Sequence, residues 1–167
     1  RDEGMDAKIH ILSSPLEHAS VISTLEFVRS ETVEIEWLPI SPEGFVRPED
    51  IASRIKEHTR LVICMWAQNE IGSINPMKEI GQLCRDNQVY LLSDATQAIG
   101  KVPVDLHEVH VDLLSFSAHK LYGPKGVGFL YHRKKDPAVR ITPLLHGGGH
   151  ERGERSGTLN TPGVVGL

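Results

Sequence analysis

The chain has 167 residues, with 18 Lys plus Arg, 22 Asp plus Glu, 9 His, 2 Cys, a formal net charge of -4 and 40% hydrophobic residues. At about 150 residues per domain this suits one globular domain or a piece of a larger one; it excludes a disordered tail, a collagen-like fibre and an electrostatic nucleic-acid binder. The longest apolar stretches, such as Leu61 to Ala67, are strand-length, far short of the roughly 20 residues of a membrane span.

Two cysteines, Cys64 and Cys84, cannot build a disulfide framework. The start, Arg1-Asp2-Glu3-Gly4, is polar and unlike a signal peptide. A reducing, cytoplasmic setting is expected. There is no initiator Met, and the last residues, Val164-Val165-Gly166-Leu167, are an apolar run with no cap or tail. Both ends therefore read as cut.

In chain order, Lys8 to Ser14 reads as a short apolar strand, and His18 to Arg29 as a helix with Ala19, Ile22, Leu25 and Phe27-Val28 near helical spacing. Thr32 to Leu38 alternates apolar and acidic residues, the pattern of a half-exposed strand. Arg47-Pro48-Glu49-Asp50 opens a helix, with Pro and acids in the first turn, expected to run to about His58. Arg60 to Ala67 is a near-continuous apolar run, expected as a strand buried on both faces. A helix follows over Pro76 to Asn87, then strands over Val89 to Asp94, Val111 to Ser117 and Gly126 to His132. From Asp136 to Gly157 the chain is loop-like, rich in Gly, His and Arg. Strand and helix alternate, which implies an α/β layer fold with a largely parallel sheet. Such sheets bind ligands beyond the carboxyl ends of their strands.

Polar residues gather at those ends. Glu17-His18 follow the first strand, Gln68-Asn69-Glu70 the third, Asp94 to Gln97 the fourth and Ser117 to Lys120 the fifth. Lys120 stands just past a buried strand. A lysine on a buried rim must be neutralised, paired or covalently bound, and a lysine of depressed pKa forms Schiff bases with carbonyl compounds such as pyridoxal phosphate (PLP). The plain alternative is a rim lysine paired with Asp94. Asp94 suits either a carboxylate that keeps a pyridine nitrogen protonated or a cap after its strand. Gln97 is an amide donor for a phenolic oxygen or a surface amide. Ser117 and His119 are phosphate ligands or, for Ser117, a buried hydroxyl satisfied by backbone. His18 is a ring to stack on a cofactor and shuttle a proton, or a helix cap. His146 and His150 are four apart, but three glycines separate them and no Cys or carboxylate completes a ligand set. The segment reads as a loop, and no metal is expected. Cys64 on a strand and Cys84 on an amphipathic helix read as inert core thiols.

The segments LLSDATQAIGKVPVD, VDLLSFSAHKLYGPKGVGFLY and HGGGHERGERSGTLNTPGVVG, with EHASV and QNEIGSINP earlier, resemble the PLP-dependent cysteine desulfurases. That family belongs to the class V aminotransferase-like, fold type I group, which includes selenocysteine lyases. The resemblance runs in order over nearly the whole chain. It implies the three-layer large domain of a fold type I transferase, mostly parallel with one antiparallel strand and truncated at both ends. Residues 1–167 would be the central part of that domain, without the N-terminal segment or the small C-terminal domain.

Position by position, the resemblance implies that Lys120 carries the cofactor and moves the substrate Cα proton. His18 stacks on the ring and assists proton transfer. Asp94 partners the pyridine nitrogen, Gln97 the phenolic oxygen, and Asn69 the cofactor oxygen and substrate carboxylate. Ser117 and His119 hold the phosphate, and Thr158 reaches the phosphate of a neighbouring subunit in a homodimer. The implied reaction takes sulfur from L-cysteine, leaving L-alanine and an enzyme persulfide that feeds a sulfur-acceptor protein, as in iron–sulfur cluster assembly. The sulfur-accepting Cys, the carboxylate-clamping Arg and a phosphate-cradling Thr loop have no match in the chain and are expected beyond its ends. Selenocysteine lyase, another class V aminotransferase-like enzyme, or a non-catalytic fragment that binds PLP or dimerises are the rival readings. No membrane or nucleic-acid partner is expected.

Overall fold

The computed structural model describes residues 8–167; the polar stretch Arg1–Gly4 lies outside them. Six strands form one sheet in the order β2-β1-β3-β4-β5-β6. They are β1 (Ile9–Ser13), β2 (Val33–Trp37), β3 (Thr59–Ile63), β4 (Tyr90–Asp94), β5 (Leu113–Ser117) and β6 (Gly128–His132). β1 to β5 run parallel and β6 is antiparallel to β5. The sheet is thus mostly parallel with one antiparallel strand, as expected.

Alternation along the strands divides the core in two, because successive side chains point to opposite faces. Leu12, Val62, Leu91 and Leu114 pack with Ile51 of α2 (Pro48–Ala52) and Met77, Ile80 and Cys84 of α3 (Met77–Asp86). Ile11, Ile35 and Ile63 face the other way and pack on Leu25 of α1 (Ala19–Val28). Helices therefore cover both faces of the sheet, which makes three layers. On the α1 side, Leu130 of β6 is 50% exposed and Leu92 and Leu113 are half-buried. Among the described residues no helix is long and apolar enough to cross a membrane.

Four local expectations change. In α1 only Leu25 is buried, while Phe27 is 89% exposed, because a single helix covers this side of the sheet. α2 stops at Ala52 instead of near His58. Beyond it the Lys56 N–H and carbonyl both bond Thr59, making a tight turn into β3. β3 ends at Ile63 although the apolar run continues to Ala67. Cys64 and Trp66 still donate to Leu92 and Asp94 of β4, but the Met65 N–H turns away to the Glu17 carboxyl. The terminal apolar run is the end of a short helix: α4 (Thr161–Val165) is capped at its N-terminus by Asn160, whose Oδ1 accepts the Gly163 N–H at 3.2 Å.

The amino ends of the strands carry an ion network. Lys56 Nζ lies 2.7 Å from Glu34 Oε1 and 2.9 Å from Glu36 Oε2, and these contacts pull the Glu34 carboxyl down to about 2. Buried His10 sits beside them. The Thr59 hydroxyl oxygen accepts the Lys56 N–H and lies 2.8 Å from His10 Nδ1. His10 Nε2 lies 3.2 Å from Glu36 Oε2 and 3.4 Å from Lys56 Nζ. His10, Glu34 and Glu36 bring three potential ligand atoms within 4.8 Å of one another, and the Lys56 ammonium supplies the cation there.

Candidate active site

β1 pairs with β2 on one side and β3 on the other, so the chain reverses its direction of winding at β1. The crevice beyond the carboxyl ends of β1 and β3 is the switch point at which open α/β sheets take ligands. The residues singled out from sequence follow β1, β3, β4 and β5, four adjacent strands. At about 4.8 Å per strand their ends span roughly 14 Å of rim.

His18 caps α1, with Nδ1 accepting the Ser20 N–H at 3.2 Å and meeting Ser20 Oγ at 2.8 Å. The cap reading is therefore realised, and it holds the exposed ring at the mouth of the crevice. Asp94 ends β4, and its Oδ1 accepts the Thr96 N–H at 2.9 Å. Among the described residues its second oxygen has no such partner. Gln97 gives its Oε1 to Lys101 Nζ, which leaves Nε2 as a donor. Ser117 pairs in register beside the Asp94 strand, since Asp94 opposes Ser115 and Ser117 lies two residues further on the same face. Ser117 Oγ meets His119 Nδ1 at 2.7 Å.

Lys120 lies on a 3-10 turn, Ala118–Leu121, that Tyr122 closes in the left-handed region at φ 60°. The expected buried rim lysine is not found. Lys120 is exposed and, among the described residues, forms no ion pair with Asp94 or any other carboxylate. It sits on a single turn just past β5, and among the described residues no helix packs over β6 on the α1 side of the sheet. Gly100 approaches this turn closely: at φ +72°, a Cβ there would sit 2.2 Å from Leu121 Cδ1. Gly100→Ala is expected to cost about 1–2 kcal/mol through strain and overpacking. Thermal unfolding checks it, and an unchanged Tm would mean that Leu121 yields freely.

Two further predicted residues stand apart. Asn69 is exposed, donating to Glu70 Oε1 at 2.6 Å. Its turn is built by Gln68, which accepts the Glu70 and Ile71 N–H groups and donates to the Leu16 carbonyl at 3.3 Å. Thr158 is exposed in the segment after the triple glycine. That segment is tied to β6 by Glu154, which meets His132 Nε2 at 2.8 Å and Lys134 Nζ at 2.6 Å. In the triple-glycine loop, His150 Nδ1 takes the Gly157 N–H at 3.3 Å.

Sequence reasoning gave no role to Glu17. It is 5% exposed, and its Oε1 accepts the Met65 N–H at 2.6 Å across the crevice. Burial pushes its carboxyl up to about 8, with Asp94 adding to the rise. The signal in the sequence was an acid directly after an apolar strand with no basic neighbour but His18. Both cysteines are fully buried, as expected, and burial pushes the Cys84 thiol up to about 12 and the Cys64 thiol well above its ordinary value. Clefts of about 700 and 1360 Å³ lie toward the amino ends of the strands, and none of the residues above lines them.

The donor set suits a ring that carries an aldehyde, a basic nitrogen and a phosphate. It offers an unpaired primary amine, a carboxylate with one unclaimed oxygen, an amide donor, a hydroxyl–imidazole pair and an imidazole fixed by a cap.

The family described as Aminotransferase class-V matches residues 1–167. The chain is 49% identical over 158 residues to a protein named cysteine desulfurase IscS from Clostridium botulinum, covering 95% of this chain and 39% of that relative. A solved structure titled NifS-like protein superposes with a TM-score of 0.88 at 41% identity, over 95% of this chain and 43% of that one. Another, titled SspA in complex with cysteine, gives 0.90 at 34% identity, over 95% and 46%. The chain thus spans about two fifths of the length of these relatives.

Proposed function

Since the chain belongs to the class-V aminotransferase family, we propose that it is the cofactor-anchoring core of a PLP-dependent cysteine desulfurase, which releases L-alanine from L-cysteine and retains the sulfur as an enzyme persulfide. The observation that carries this reading is that Lys120, Asp94, Gln97, Ser117, His119 and His18 all follow the carboxyl ends of β1, β4 and β5, on the rim that holds the switch point. The names of the relatives support the substrate and the reaction, including one relative's structure with cysteine.

PLP, when bound, supplies an electron sink for the carbanion at the substrate Cα. The chain's own residues do the rest. Lys120, unpaired and exposed, would hold the cofactor through its amine and is placed to move the Cα proton. Asp94 would hold the proton of the pyridine nitrogen with its unclaimed oxygen. Gln97 Nε2, free because Oε1 accepts from Lys101, would donate to the phenolic oxygen. Ser117 and His119, hydrogen-bonded to each other, would bind the phosphate. His18, oriented by its Ser20 contacts, would face the ring and pass protons. Asn69 would serve the substrate carboxylate. Neither cysteine of this chain takes the sulfur, since both are buried and protonated. The persulfide-bearing thiol of this reading is therefore neither Cys64 nor Cys84, and the 167 residues serve as the central part of the large domain.

The exposure of the large apolar side chains Tyr122, Leu144, Leu145 and Val165 supports association with a second copy. In that homodimer Thr158 would reach the partner's phosphate. A reducing, cytoplasmic setting suits two free buried thiols. The partners are L-cysteine and a sulfur-acceptor protein.

Incubation with PLP followed by borohydride and peptide mass spectrometry tests the anchoring. One pyridoxyl adduct is expected, on Lys120, with its yellow colour lost in Lys120→Ala. In the full-length protein the same change is expected to lower alanine release by at least about 100-fold. An adduct on Lys101 or Lys125 instead, or none, would overturn the reading.

A further inference from the structure

Glu17 sits directly before His18 and inside the switch-point crevice. Its carboxyl is all but closed to solvent. Oε1 accepts one hydrogen bond, from the Met65 N–H at 2.6 Å, and Oε2 is buried with no hydrogen-bond partner among the described residues. Among the described residues no lysine, arginine or histidine pairs with it. The groups that face it are Asp94 at the end of β4 and the Cys64 thiol just past β3, and neither offers a positive charge. A buried carboxylate with one neutral donor and a like charge nearby is costly, whereas the neutral acid is not.

We propose that Glu17 is a positioning residue for the Lys120–Asp94 site: its buried carboxyl pins the start of the His18 helix to the backbone beyond β3 without setting a second negative charge directly beside Asp94. The inference deepens the PLP reading and rests on it for the roles of His18 and Asp94. Two consequences follow. The Met65 bond fixes the approach of the chain into the His18 cap, and therefore the height of the imidazole over the crevice. Ionisation of Glu17 would set a second negative charge beside Asp94 and change the field at the group that Asp94 holds. The site would then lose its tuning in alkali, in the region around pH 8 where the Glu17 carboxyl titrates.

Carboxyl ¹³C NMR of the Glu-labelled chain without cofactor is the first arm of the test. One glutamate resonance is expected to titrate near pH 8 and to be absent in Glu17→Gln. The second arm uses the full-length protein loaded with PLP. The cofactor absorbance and kcat are expected to change together near that pH, and Glu17→Gln, which keeps the Met65 acceptor, loses this alkaline limb while restoring function at neutral pH. Glu17→Ala, which loses both acceptor and shape, is expected to lower kcat by about 10–100-fold. A Glu17 resonance that titrates in the ordinary carboxylate range, or pH profiles identical in wild type and Glu17→Gln, would overturn the inference. Failure of PLP to bind would instead sink the cofactor reading, and the NMR arm would still decide the state of Glu17.

Discussion

Asp112→Ala is expected to destabilise the fold by about 3 kcal/mol, since it removes one partner from a buried charge cluster. Asp112 is 1% exposed and stands where β5 begins. Its Oδ2 accepts the Leu91 N–H at 2.8 Å, in place of a strand carbonyl. Its Oδ1 lies 3.3 Å from His110 Nε2 and 3.6 Å from Arg133 Nε, close enough for attraction but off hydrogen-bond geometry. Arg133 reaches on to the Val111 carbonyl at 3.0 Å, and its N–H bonds the Asp112 carbonyl. Alanine would leave the Leu91 N–H without its acceptor and the guanidinium without its acid, with a void in the core. Asp112→Asn keeps the acceptor and loses only the charge, so it should be the milder change. Thermal or urea unfolding at neutral pH checks both. A drop in Tm of roughly 10 °C is expected for the alanine variant; a Tm equal to that of wild type would show that the carboxylate is dispensable.

The second large effect is a slope of stability with pH that Glu17 creates. Its carboxyl titrates from an ordinary 4.5 when unfolded to about 8 when folded. Between those values the folded chain holds a proton that the unfolded chain has released. Stability from this group is thus full below about 4.5, falls as pH rises, and levels off above about 8. By pH 7 the loss is on the order of 3 kcal/mol, at 1.36 kcal/mol per unit. His10 and His110 work in the opposite sense. Burial lowers both from 6.5, so the folded chain holds fewer protons there and stability rises with pH up to that point. Between that point and about 8 the Glu17 slope dominates, and toward pH 9 the two buried thiols add a fall of the same sign. Denaturant unfolding from pH 5 to 9, wild type against Glu17→Gln, isolates the term as the difference between two curves. Parallel curves would show that the carboxyl is ionised in the folded chain.

Much of this molecule is legible in one dimension. Every strand was found within a few residues, because a two-residue alternation and near-continuous apolar runs at Leu61, Tyr90 and Leu113 leave little choice of face. The carboxyl-end location of His18, Asp94 and Ser117 also follows from the α/β pattern. What failed has local causes. α2 is short because Lys56 and Thr59 bond each other, a preference with no periodic signature. Lys120 was expected to be buried because it follows an apolar strand, yet burial there depends on what lies across the sheet. α4 escaped notice because its cap is a single asparagine before a Thr-Pro step.

By itself the sequence determined the class of fold, the two free inert thiols and the family, since hydrophobic periodicity and motif order are local properties that survive without coordinates. Only the tertiary structure decided the strand order that makes β1, β3, β4 and β5 neighbours. Only it showed that Asp94 and Gln97 each keep one group unspent, and that Glu17 crosses the crevice to Met65. The physical reason is that hydrogen-bond satisfaction and desolvation belong to pairs of atoms brought together from distant parts of the chain. Glu17 and Met65 are 48 residues apart, and no spacing rule marks which acid will lose its water.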